Sequence, residues 1–348
     1  MEKPGLCGRG MTALSAKGLS WLTVGLLSGV VACSQAEQAP LGNVQKSLWD
    51  EQSLQGSPTD KTLLTARHGG CVEGQPDCRK GPEMPGEIRS LLPEAPVLAG
   101  SIRSIIPRDG QKLIALTFDL CELAGERAGY DAGIVNYLRK QGIKATFYAG
   151  GKWMRSHPEK TMQLMSDPLF ELGNHGWRHR NLRHLKGAEA EREVLWTQAQ
   201  YVALRKQLEA KAHSLGLAIP HVPIVPMSYR FPFGTCSPEN LHLLEKFNLA
   251  AVQWSIVTGD PSPAQTAKAI AEAVLAQAKP GSIIVAHANG KGWHTAEALP
   301  LFIPQLQQQG YHFVTVAELL HSADKVESSP LCYELKPGDN ARYDHLGR

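Results

Sequence analysis

This 348-residue chain has little net charge and shows no apolar run long enough to cross a bilayer. The formal charge is +3, and Lys3, Arg9 and Lys17 set against Glu2 place two of those charges in the first 32 residues, so the remainder is near +1. That balance leaves no electrostatic footprint for nucleic acid, and none is expected as a partner. The uncharged run 19–32 has 14 residues, short of the ~20 that a spanning helix needs. Internal repeats and low-complexity blocks are missing as well, which excludes a solenoid or a repeat array. What is present, 43% hydrophobic and 20% charged residues, suits an ordinary globular fold of one large domain with appendages.

Lys3, Arg9 and Lys17 precede the run 19–32, which ends in small residues. A charged start followed by a short apolar core is the pattern of a secretory signal. Val30-Val31-Ala32-Cys33 resembles the lipobox of bacterial lipoproteins, in which the cysteine is lipidated and becomes the first mature residue. The expectation is a signal over 1–32 and an exported domain. Lipidated Cys33 would tether it to a bacterial membrane facing the periplasm or the cell exterior. The alternative is a soluble exported protein with a cysteine near its cleavage site. Export permits disulfides. Of seven cysteines, Cys7 and Cys33 are set aside and five remain. Cys71 and Cys78 are placed for local pairing, and a Cys121–Cys236 bridge would staple two loops, leaving Cys332 over; sequence does not fix the connectivity.

Residues 34–95 are rich in Gln, Ser, Gly, Pro and charge and carry no sustained apolar period, so 33–110 is expected to be a tether and a partly ordered arm. From Lys112 short β-rich runs alternate with helical ones. Strands are expected at 113–119, 145–148, 170–173, 227–231, 250–256, 282–286 and 312–315, with helices at 133–141, 158–165, 189–215, 238–247, 264–278 and 297–309. Such alternation over ~200 residues implies βα units and a parallel sheet, open or closed into a barrel. The domain is expected to span 111–322, with 323–348 a peripheral tail.

In a βα barrel the reactive side chains gather at the carboxyl ends of the strands, because the following loops share one face. Four residues stand at such ends: Asp119, His175, Arg230 and His287. His175 and His179, four positions apart, would lie on one face of a helical turn and could share a cation. Singly, each has an ordinary structural reading, as a helix cap, an ion-pair partner or a core imidazole. Together they supply a metal pair, a base, an orienting cation and an acid.

Thr117-Phe118-Asp119, the segment from His175 to Leu182, Arg230 to Gly234 and Val285-Ala286-His287 resemble the ordered motifs of polysaccharide deacetylases with the NodB-homology domain, over about residues 110–320. The resemblance implies a distorted (β/α) barrel with fewer than eight strands, and metal-assisted removal of acetyl groups from an N-acetylated polysaccharide. In that scheme His175 and His179 hold a divalent ion, zinc first, with cobalt, nickel or iron as alternatives. Asp119 is the base and Arg230 keeps it ionised. A backbone N–H near Phe233 faces the oxyanion, with Phe233 and Trp254 against substrate. His287 protonates the departing amine.

Two departures from the family pattern bear on the site. The family's second acid in the first motif, a metal ligand, is Leu120 here. Glu122 is expected to reach in as the third donor, with Asp119 itself or water as the other options. In the fourth motif Asp260 is either the residue that orients His287 or the cap of a following helix. Other functional readings are a non-catalytic glycan-binding lipoprotein on the same scaffold, or a hydrolase of a different C–N or ester bond. Trp153, Trp177 and Trp293 are candidates to stack on sugar rings, although large aromatics more often pack a core.

Overall fold

The computed structural model describes residues 41–66, 71–72, 77, 79–93 and 98–347. The signal, Cys33 and Cys78 lie outside the described residues. The chain divides into Met1–Gln38 and Ala39–Arg348, and the fold reported is that of the second unit. No helix among the described residues is long and apolar enough to cross a membrane.

Helices α1 (Leu41–Leu48) and α2 (Glu51–Gln55) come first, then strands β1 (Leu64–Thr65), β2 (Ser101–Pro107), β3 (Leu113–Leu120) and β4 (Glu126–Arg127). There follow α3 (Ala132–Gln141), β5 (Ala145–Ala149), α4 (Gly151–Ser156), α5 (Pro158–Met165), β6 (Phe170–Asn174) and the long α6 (Gly187–Ser214). The second half runs β7 (Ser228–Tyr229), α7 (Pro238–Lys246), β8 (Ala250–Val252), β9 (Ile256–Val257), α8 (Ala267–Gln277) and β10 (Ile283–His287). It closes with α9 (Thr295–Gln308), β11 (His312–Val314), α10 (Val316–His321) and β12 (Ala323–Ser329).

The main sheet has the order β12-β2-β8-β7-β6-β5-β3-β10-β9, with β11 also paired to β3. All of these pairs are parallel except β12 with β2. The parallel strands are covered by helices, so they read as near-continuous apolar runs, as in Ala145–Ala149, all five residues of which are buried. In β3 the period of two sorts the side chains. Ile114, Leu116, Phe118 and Leu120 enter the main core with α3 and α9, whereas Thr117 and Asp119 face the inside of the curl.

The segment expected as one strand over 250–256 is two. β8 pairs with β2 and β7, while β9 pairs with β10. Between them Gln253 N–H donates to Ile102 O and Ser255 N–H to Ile283 O, so this stretch links two regions of the sheet and curls it toward a barrel. An antiparallel bridge from Ser104 to Ser282 adds to the closure.

Three expectations are corrected. β2 and β12 lie outside 111–322 but belong to the same sheet, so the sheet begins before 111 and the tail is not peripheral. Val44, Leu48 and Trp49 are buried in the main core, and Trp49 Nε1–H donates to Ser166 Oγ at 3.1 Å. A few apolar anchors on a short helix give too little periodicity to be seen in sequence. Finally, Cys236 is bridged to Cys332 and not to Cys121, which is a free, buried thiol. Cys71 is disulfide-bonded, to a partner outside the described residues.

Candidate active site

Strand register sets the site. Asp119 on β3 is the register partner of His287 on β10 and, on its other side, of Tyr148 on β5. Asn174 on β6 pairs with Tyr229 on β7, so the next residue of each strand, His175 and Arg230, emerges at the same rim. His175 and His179 do not sit on a helical turn. They lie in the loop after β6, where Gly176 has φ 75° and His179 φ 56°. A Cβ at Gly176 would stand 3.2 Å from the Tyr229 hydroxyl. Two left-handed residues turn the chain so that the rings converge, centroids 5.0 Å apart.

Arg230 is fully buried and its donors are well used. Nη1 donates to Asp119 Oδ1 at 2.9 Å and to Thr117 Oγ1 at 2.7 Å; Nε and Nη2 reach the carbonyls of Val252 and Gln253. The guanidinium lies 4.0 Å from the centre of the Tyr148 ring. Burial alone would raise the Asp119 pKa, but His175, Arg230 and His287 outweigh it, and the carboxyl titrates below its usual range. Asp119 Oδ2, the oxygen not bonded to Arg230, lies 3.6 Å from His175 Nε2.

The His175 ring is oriented by its Nδ1, 2.9 Å from Arg230 O. That bond leaves the Nε2 lone pair free, and Nε2 is buried with no hydrogen-bond partner. Burial lowers the pKa of both imidazoles, that of His179 well below the ordinary value, so both stand neutral, the form that ligates a metal. Together with the sulfur of Cys121, one ring nitrogen from each completes a set of donor atoms all within 4.8 Å of one another. An orphaned imidazole nitrogen beside a second imidazole and a sulfur fits a borderline-soft divalent ion.

Glu122 is not in that set, which corrects the expectation that it reaches in as the third donor. Its side chain is bound by Lys152 Nζ, Ser156 Oγ and the Ala128 N–H, away from the imidazoles. Alternation from Thr117 and Asp119 places Cys121 on their face and Glu122 on the face of Leu120. That signal was available in the sequence. Asn289 Nδ2 donates to Cys121 Sγ at 3.0 Å and to Cys121 O at 2.8 Å. Without a metal, burial pushes the Cys121 thiol up to about 11.

Across the site, Asp260 orients His287 and is not a helix cap; α8 is capped by Thr266. The Asp260 carboxylate accepts from His287 Nδ1 at 3.0 Å, His287 N–H at 2.7 Å, Thr258 Oγ1 at 2.9 Å and Thr295 Oγ1 at 2.6 Å. Gly292 is needed here, since a Cβ would fall 2.5 Å from Thr295 Oγ1 and 2.8 Å from Asp260 Oδ2. Burial works against a charged His287 ring, but Asp260 and Asp119 prevail and raise its pKa above the ordinary value. Neither threonine partner is detectable from sequence spacing.

A cavity of about 300 Å³ opens over these groups, lined among others by Asp119, Cys121, His179, Phe233, Trp254 and His287. Phe233 has φ 59° in a tight turn at Pro232–Gly234, and its ring packs edge-on to His179 at 4.4 Å. The chain's last segment forms a further wall, with Glu334, Tyr343 and Leu346 lining the cavity. Trp153 and Trp177 are wholly buried and belong to the core; Trp293 is exposed.

Residues 107–252 match the family model for polysaccharide deacetylases. Over those residues, about two fifths of its length, the chain is similar to polysaccharide deacetylases. The peptidoglycan-N-acetylglucosamine deacetylase of Listeria monocytogenes is 29% identical over 208 residues, 60% of this chain and 39% of that protein. The chitooligosaccharide deacetylase of Azorhizobium caulinodans is 28% identical over 213 residues, 58% of this chain and 91% of that one. Among solved structures, a peptidoglycan N-acetylglucosamine deacetylase in complex with an N-hydroxybenzamide matches with TM-score 0.54 at 24% identity, over 65% of this chain and 95% of that one. A pseudoenzyme of carbohydrate esterase family 4 from Bacillus anthracis matches with TM-score 0.53 at 23% identity, over 64% of this chain and 70% of that one. These two likenesses establish the deacetylase fold. The chain spans about two fifths of the length of the Listeria relative. Leu120 is fully buried in the core.

Proposed function

We propose that this protein is a metal-dependent hydrolase that removes N-acetyl groups from a polysaccharide of the cell envelope or extracellular space, with zinc as the ion. We further propose that it is exported and held at a bacterial membrane through lipidated Cys33. The activities named for the Listeria and Azorhizobium relatives support an N-acetylated glycan as substrate. The observation that carries the reading is that Asp119 and His287, register partners on adjacent strands, line one cavity together with His179.

An amide carbonyl is a weak electrophile and an amine anion a poor leaving group, so the reaction needs an activated carbonyl, a base and an acid. A divalent ion held by His175 and His179 supplies, when bound, the Lewis acid and a more acidic water. Asp119 accepts the water's proton on the oxygen facing His175. Arg230 holds the other oxygen and keeps the carboxylate ionised below neutral pH. A backbone N–H near Phe233 donates to the oxyanion as it forms. His287, charged through Asp260, hands a proton to the sugar nitrogen as the C–N bond breaks, releasing acetate and the free amine. Phe233 and Trp254 form apolar walls against the sugar.

The test is acetate release from N-acetylated and O-acetylated oligosaccharides before and after chelation. N-linked acetate should be released, release should stop with chelator and return with zinc, and Asp119→Asn or His287→Gln should each cost about 10²–10⁴-fold. Bound metal with no acetate from any N-acetylated glycan would refute the reading and favour a glycan-binding role.

A further inference from the structure

We propose that Cys121 supplies the third protein ligand of the metal site, so that the ion is held by two imidazoles and a thiolate. This rests on the metal-hydrolase reading above and concerns the identity of its ligand set.

Three observations converge. The Cys121 sulfur and one nitrogen from each of His175 and His179 lie within 4.8 Å of one another, and no other such group of three occurs among the described residues. His175 Nε2 is a buried polar atom with no partner, on a residue 1% exposed. A neutral ring nitrogen left bare in the interior costs free energy unless something accepts its lone pair. The third is the chain's own geometry. Strand alternation turns Leu120 into the core and brings position 121 to the face of Thr117 and Asp119. On that face Asp119 is held by Arg230, the next donor along the chain is Cys121, and Glu122 is committed to Lys152.

Cys121 also has the setting of a ligand. Its sulfur accepts a hydrogen bond from Asn289 Nδ2, the kind of outer-shell contact that fixes a ligand's direction and tunes its basicity. His175 is fixed in the same way by the Arg230 carbonyl. On binding, the thiol proton passes to solvent and the sulfur binds as thiolate. Two imidazoles and a thiolate would leave room for water or substrate on the ion, and Cys121 and His179 line the cavity shared with Asp119 and His287. Thiolate in place of carboxylate softens the site, favouring zinc over hard ions such as magnesium or manganese.

The test is the electronic spectrum of the full chain loaded with cobalt(II) in place of its own ion. Wild type should show an intense near-ultraviolet sulfur-to-cobalt charge-transfer band as well as the weaker ligand-field bands. Cys121→Ser should lose the charge-transfer band and bind zinc at least ~100-fold more weakly, the upper end of what loss of a supporting contact costs. Glu122→Gln should keep the band. In wild type, bound metal should also protect the free thiol from alkylation. Because the wild-type spectrum is read directly, the test survives a variant that fails to fold. Cobalt bound with no charge-transfer band, or zinc affinity unchanged in Cys121→Ser, overturns the thiolate ligand and leaves the deacetylase reading intact. Failure of wild type to bind any divalent ion overturns both. A charge-transfer band without acetate release supports the ligand set and sinks the deacetylase reading alone.

Discussion

The sharpest mechanistic prediction concerns Asp260→Asn. The side chain is 1% exposed and its two oxygens accept from both threonine hydroxyls and from the main chain and ring of His287. An amide of the same shape keeps one acceptor but turns the other into a donor and removes the charge. Burial disfavours a charged His287 ring, and its pKa is raised because Asp260 and Asp119 outweigh burial. Without Asp260 the balance tips back toward burial and the pKa falls. A proton donor must be charged to act, so activity is present below the His287 pKa and is lost as pH rises through it. In the variant the alkaline limb of the kcat/KM profile should therefore move to lower pH. The acid limb, set by Asp119, should move little. General acid catalysis contributes about 10²–10⁴-fold, so kcat/KM at neutral pH should fall by at least ~10². Lost hydrogen bonds to a buried charge cost about 1.5–3 kcal/mol of stability, so the assay is run well below the unfolding midpoint, with metal content checked as unchanged. An acetyl ester of a good leaving group, which departs without a proton, should lose far less rate. An alkaline limb that stays in place, or equal losses on both substrates, would refute the role given to this pair.

Arg230→Ala strands a buried carboxylate and should cost about 3–5 kcal/mol in denaturant unfolding, with activity lost even where the variant is folded. Glu122→Gln breaks the buried pair with Lys152, so it should lower stability while leaving metal content as in wild type. The Cys236–Cys332 bridge joins residues 96 apart, so replacing both cysteines by alanine should cost up to about 4–5 kcal/mol by loop entropy. It also anchors the segment that carries Tyr343 and Leu346 to the cavity, so KM should rise more than kcat falls.

Much of this fold could be read from the sequence because parallel strands covered on both faces are long apolar runs. β3, β5, β6 and β10 stand out for that reason, and so do the residues at their ends. β12 does not, since it is a polar edge strand with only Ala323 and Val326 packed against the apolar cluster under β2. The site divides along similar lines. Asp119, His175, Arg230 and His287 are fixed by strand position, which is a local property. The convergence of His175 with His179 depends on two left-handed residues, and the spacing of four suggested a helical turn where a loop exists. Asp260 could not be told from a cap until its four donors were seen. Cys121 is different: alternation along β3 points to it, but the acidic side chain next to it draws the expectation because carboxylates are common metal ligands.

His175 is the residue on which the site depends most directly. Elemental analysis of the purified full chain, paired with acetate release from an N-acetylated oligosaccharide, should show near-stoichiometric divalent metal and turnover in wild type, and neither in His175→Ala. Metal content or acetate release that survives the substitution would contradict the site described.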